Sequence, residues 1–148
     1  MEILVIPKYE IIRDMFGTPI NAESLLDRDL VRLASRWGAV IMAKGTGPKL
    51  KKLHLAEGIV LEICVSDADR WPVEVVIKTG PAEFSKRVVT PRRHGGYLPA
   101  WASIKNGWKV YKEGDTHVAL ETEKDFLHLL GLGWVEPEDR HPGLKVVE

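Results

Sequence analysis

A single cysteine, Cys64, is all that the 148 residues contain. That excludes an internal disulfide framework and a cysteine-rich zinc site, and it fits a reducing compartment. Long hydrophobic runs are missing too. The longest, such as Ile59–Ile63, are interrupted by charge, far short of the roughly 20 apolar residues a bilayer span requires. Met1 is followed at once by Glu2, which does not fit the basic start of a signal peptide. No transmembrane span is expected, and the protein is read as intracellular. The common catalytic fingerprints are absent as well: no Gly-Lys-Ser/Thr phosphate loop, no dinucleotide fingerprint, no nucleophile elbow and no paired-histidine zinc motif. The five histidines have no ligand spacing, and neither they nor Cys64 are assigned a catalytic role.

Net charge is lacking in the sum but not along the chain. Lys and Arg number 21, as do Asp and Glu. Residues 1–43 carry five basic and six acidic side chains, 44–112 carry thirteen and six, and 113–148 carry three and nine. A polyanion responds to the local field rather than to the total. The middle of the chain can therefore hold a phosphate backbone, or its charges can scatter over an ordinary solvated surface. With 45% hydrophobic and 28% charged residues, the composition is that of a folded domain, and the length is that of one domain or of two very small ones sharing a core.

The pattern alternates between strands and helices. Glu-Ile-Leu-Val-Ile-Pro at 2–7 predicts a strand stopped by Pro7. Leu25, Leu26, Leu30, Leu33 and Ala34 recur at helical spacing, with Asn21 as the expected N-cap and Gly38 as the stop. Val40–Ala43, Leu50–Leu55 and Ile59–Val65 are β-compatible, the last two forming a hairpin. Two helices are expected to meet at Thr79-Gly80, one from Asp69 and one from Pro81. A loop over 91–99 leads to a three-stranded meander around 101–104, 108–111 and 118–120. Thr122 is expected to cap a last helix, Glu123–Leu130, closed by Gly131, with a frayed end beyond.

Several stretches together resemble a known family. Residues 2–7 (EILVIP), 58–65 (GIVLEICV), 78–91 (KTGPAEFSKRVVTP) and 121–140 (ETEKDFLHLLGLGWVEPEDR) are similar, in order and spacing, to the palm and thumb of family X DNA polymerases, closest to the small polymerase-beta-like nucleotidyltransferases of phages and bacteria. The resemblance implies an α/β (α+β) fold. A palm with a mixed sheet would span 1–95, cut at its first catalytic strand, and a thumb-like subdomain with an antiparallel meander and helix would span 96–148.

It also implies chemistry. In that family strand carboxylates bind two divalent ions, which bridge phosphate oxygens and neutralise the leaving group. Glu2 falls where the second acid of a pair belongs and Glu62 where the third acid belongs, so these are the expected catalytic and metal residues, for Mg2+ or Mn2+. The first acid would lie two residues before Glu2, so a partner would have to supply it. Thr79, Gly80, Ser85 and Lys51 are the expected nucleotide contacts, and Lys86, Arg87, Arg92 and Arg93 the expected DNA contacts. The implied partners are a primer–template or gapped DNA duplex and a deoxynucleoside triphosphate, with no membrane.

The residues themselves leave plainer readings beside these. A carboxylate in a β run faces solvent, a partner or a metal. Thr79-Gly80-Pro81 is also simply one helix stopping and another starting. Lys49 and Lys51 share one face of their strand and Lys52 the other. Trp101 and Trp108 can stack on single-stranded bases, or fill a small core that needs large apolar side chains. The reading carried forward is a polymerase-beta-like nucleotidyltransferase module whose activity needs the missing acid. Its rivals are a catalytically inactive DNA- or partner-binding module and an incomplete product of a longer polymerase.

Overall fold

The computed structural model describes residues 1–147. Its elements are mixed α and β, as the sequence implies, in two compact units: Met1–Asp67, and the chain from Ala68 onward.

In the first unit β1 (Glu2–Val5), β4 (Val40–Ile41), β5 (Leu50–His54) and β6 (Val60–Val65) form one sheet in the order β1-β6-β5-β4. β1 runs parallel to β6, and the other pairs are antiparallel. Side chains of a strand alternate between faces, and the burial follows. Leu53, Leu61 and Ile63 pack with Leu30 and Ala34 of α1 (Leu25–Arg36), while Val60, Glu62 and Cys64 turn the other way. Leu26, Leu30 and Ala34 lie four apart, which sets them in one stripe on the helix.

The start of α1 departs from expectation. Asn21 lies within a strand, and the cap is Ser24, whose hydroxyl accepts from Asp27 N–H at 3.3 Å. The reason is an element that the sequence pattern did not reveal: β2 (Tyr9–Arg13) and β3 (Pro19–Ser24) pair as an antiparallel ribbon. β3 feeds directly into α1. Gly38 does close the helix end, with φ +62°.

In the second unit α2 (Trp71–Lys78), α3 (Ala82–Val89) and α4 (Glu123–Leu129) enclose a core of Val73, Val76, Phe84, Val88, Phe126, Leu127 and Leu130. Val110 joins it from the meander β7 (Ser103–Lys105), β8 (Lys109–Lys112) and β9 (Thr116–His117). This core puts α2 and α3 together with the meander and α4. The compact division therefore falls after Asp67, where the sequence places it after residue 95. A helix shares a unit with the elements that bury its apolar face: α2 packs on α4, more than 40 positions later, and on α3, whose Phe84 meets Tyr97 beyond residue 95.

Three finer expectations change. The third meander strand lies at 116–117 instead of 118–120. The tryptophans of the meander stay out of the core: Trp101 is 46% exposed and Trp108 39%. Trp108 follows the Asn106-Gly107 turn at a left-handed φ of +72°, a position fixed by the turn rather than by packing. The end after α4 is anchored rather than frayed, since Arg140 is 2% exposed. Among the described residues no helix is long and apolar enough to cross a membrane.

Candidate functional site

The expected site residues fall into two sets, one in each unit. In the first unit Glu2 and Glu62 stand directly opposite each other on β1 and β6. Parallel neighbours lie about 4.8 Å apart and point the same way, so two carboxylates share one face of the sheet. The next strand completes the row. Lys52 of β5 is the register partner of Glu62, and its Nζ sits 2.5 Å from Glu62 Oε1. Like charges so close repel, and the lysine supplies the cation that offsets this.

Lys51, the expected nucleotide contact, lies on the opposite face. It is buried beside α1, with Nζ 2.5 Å from Asp27 Oδ1. The lysine that reaches the acids is its neighbour Lys52. The alternation of Lys51 and Lys52 was readable from the sequence; which face carried Glu62 required the register between β5 and β6.

The divalent ion implied for this face can be judged by its donors. Mg2+ is commonly held by one or two carboxylates, with waters and phosphate oxygens completing six positions. Glu2 and Glu62 fit that in type and placement. No group of three or more His, Cys, Asp or Glu side chains among the described residues could hold a metal, and Lys52 competes for Glu62.

In the second unit the corner between α2 and α3 carries Thr79, Gly80 and Ser85. The Thr79 hydroxyl donates to Val75 O and accepts from an Arg140 N–H. Ser85 donates to Ile77 O at 2.6 Å, across the corner. Gly80 is required sterically: a Cβ there would lie 2.3 Å from Cδ1 of the fully buried Phe84. Both hydroxyls expected to face a nucleotide thus hold the corner itself. The close approach that glycine allows is made by the Phe84 ring.

Arg140, which the sequence pattern did not single out, organises this corner. Besides Thr79, its guanidinium donates to Glu123 Oε1 at the start of α4 and to Val135 O. It lies in the Glu-Pro-Glu-Asp-Arg run, so the motif was visible while the role was not.

The basic residues of α3 and the following loop divide in two. Arg87 donates to Pro142 O and lies 5.7 Å over the Tyr97 ring, and Tyr97 donates to the same carbonyl at 2.8 Å. Arg92 donates to Tyr97 O at 3.2 Å and to Leu130 O at 3.0 Å, at the C-terminal end of α4. Both guanidinium groups fasten the loop and the chain end. Lys86 and Arg93 face outward, and the Arg93 guanidinium donates to the adjacent His94 at 3.1 Å. Thr90 and Gly96 bring the loop back tightly on α3, for a Cβ at Gly96 would lie 1.9 Å from Thr90 O. The Arg93 side chain is thereby presented from a rigid 3-10 turn, Arg92–His94.

Residues 75–141 match the family model of the DNA polymerase beta thumb. The match begins within α2, crosses the Thr79-Gly80 corner, the meander and α4, and ends just past Arg140. It covers under half of the chain and supports a family X polymerase-like region there. A search of curated proteins gives no match.

Proposed function

We propose that this chain is a DNA-binding module of a polymerase-beta-like nucleotidyltransferase, in which the thumb-like region holds the phosphate backbone of a primer–template or gapped duplex. The observation that carries the reading is the family match over 75–141, a stretch whose basic side chains divide into anchors and outward-facing groups. Lys86 and Arg93 make the backbone contacts. Arg87 and Arg92 hold the surface that presents them. Contacts of this kind position a duplex without reading its sequence.

Nucleotide binding at this corner is through the main chain of Gly80, because the Thr79 N–H and the hydroxyls of Thr79 and Ser85 are engaged within the fold. In the first unit Glu2 and Glu62 are the acids that meet a divalent ion, and Lys52 holds their charge otherwise. When bound, the ion neutralises phosphate oxygens. Two carboxylates stand in register for it and, among the described residues, no third joins them, which favours binding over turnover by this chain alone.

The test is binding to a gapped duplex as a function of salt. Removing one cation that neutralises a phosphate reduces the slope of log affinity against log salt by about 0.9. Lys86→Ala with Arg93→Ala is expected to lower the slope by about two such steps and to weaken all sequences alike. Binding with no salt slope, or an unchanged slope in the double variant, refutes this role for the two side chains.

A further inference from the structure

The ribbon β2–β3 is an amphipathic arm with its apolar side uncovered. Tyr9 and Ile11 share one face with Ala22, the register partner of Ile11 on β3, and are 61% and 55% exposed. The turn beyond them carries Met15 and Phe16, 90% and 85% exposed. The other face bears Glu10, opposite Glu23, and Glu10 pairs with Arg28 of α1. An isolated two-stranded ribbon is marginal in water, and an open edge is a template for another strand.

We propose that the free edge of β2 pairs with β2 of a second copy of this chain, joining two arms into a four-stranded antiparallel sheet. The main-chain geometry sets the register. Leu25 N–H donates to Lys8 O and Asp14 N–H donates to Thr18 O, both at 2.9 Å. In an antiparallel ladder, alternate residues turn both main-chain groups to the partner. Lys8, Glu10, Ile12 and Asp14 therefore face β3, and Tyr9, Ile11 and Arg13 face outward. All five residues of β2 are exposed.

Outward residues must pair with outward residues, so the two-fold axis passes through one residue of β2. At Glu10 the register sets two glutamates face to face, and at Ile12 it sets Glu10 against Asp14 of the second copy, both pairs of like charge. At Tyr9 the register sets Ile11 against Pro7, which has no N–H to donate. At Arg13 it sets two arginines face to face. At Ile11 it pairs Ile11 with itself, Tyr9 with Arg13 of the second copy, and Lys8 with Asp14 of the second copy. The last pair is of opposite charge, and the Tyr9 ring receives a guanidinium. Arg13 retains its bond to Gly17 O at 2.9 Å, and Asp14 Oδ1 retains the turn N–H groups of Phe16 and Thr18. About six main-chain hydrogen bonds form, and the apolar faces of the two arms become continuous.

Cysteine cross-linking reads the register directly, in a Cys64→Ser background. Directly opposite, hydrogen-bonded residues have Cα atoms about 5.5 Å apart, within disulfide reach. Ile11→Cys is expected to form a covalent dimer under mild oxidation, and Tyr9→Cys is not, because its opposite residue is Arg13. Tyr9→Cys with Arg13→Cys restores the cross-link. Sedimentation of the unaltered chain should give a concentration-dependent dimer. Ile11→Pro removes an N–H that β3 does not use, and should abolish the dimer with an unchanged circular dichroism spectrum. A chain that stays monomeric to millimolar concentration, or an Ile11→Cys variant that cross-links no faster than Tyr9→Cys, overturns the proposal and assigns the arm to another occupant.

Discussion

Replacing Arg140 with methionine keeps most of the side-chain volume and removes the guanidinium. Three groups are left without its donors: the Thr79 hydroxyl, the Glu123 carboxylate and the Val135 carbonyl. The bond to the charged carboxylate is worth about 1.5–3 kcal/mol and each neutral bond about 1 kcal/mol, so the loss is about 3–5 kcal/mol. The same range applies to breaking a buried ion pair from one side. Glu123 keeps 21% side-chain exposure, so it regains some hydration, which places the effect at the lower end. For a unit of this size 1 kcal/mol moves Tm by about 4–8 °C, and the variant should melt at least about 12 °C lower. Tryptophan fluorescence in a denaturant series, fitted alongside a thermal melt, measures it. Arg140→Lys should recover part of the loss by keeping a cation beside Glu123, though one ammonium cannot reproduce the planar fork. If Arg140→Met unfolds within about 1 kcal/mol of the unaltered chain, the clamp contributes little, and the chain end is held by its apolar contacts instead.

Two further outcomes are expected. Lys52→Met removes the cation that sits against Glu62, so the Glu2–Glu62 pair should bind Mn2+ more tightly than the unaltered chain does. A thermal shift on adding Mn2+ that is no larger in Lys52→Met, or that persists in Glu62→Gln, refutes the acid pair as the ion's place. The carboxyl of Asp125 is held below its ordinary value by the Thr122 hydroxyl first and the Thr122 N–H second, in a capping box at the start of α4. A lowered folded value stabilises above the unfolded one, about 3.9, and that stability is lost as pH falls through the lowered value. Asp125→Asn should flatten this acid limb in pH-dependent melts while leaving the slope near neutrality unchanged.

The elements with a strong local pattern were legible in the sequence: the β5–β6 hairpin, the paired helices meeting at Thr79-Gly80, and α4 with its Thr122 cap. Each rests on neighbours within one turn or one hairpin, where side-chain spacing and cap chemistry act directly. The ribbon β2–β3 was not legible, because its apolar residues stay exposed and its turn, Asp14 to Thr18, has the hydrogen-bonded Asp side chain rather than a two-residue Asn-Gly or Asp-Gly signal. Of the site, the sequence by itself determined which residue types are present and, through alternation, that Lys51 and Lys52 must face opposite ways. Only the tertiary structure decided which of the two meets Glu62, since a one-residue change of register between strands exchanges every face. It also decided which arginines are held by the fold. Arg87, Arg92 and Arg140 bond carbonyls or side chains 5 to 61 positions away, and no local pattern marks a partner that only chain packing brings near.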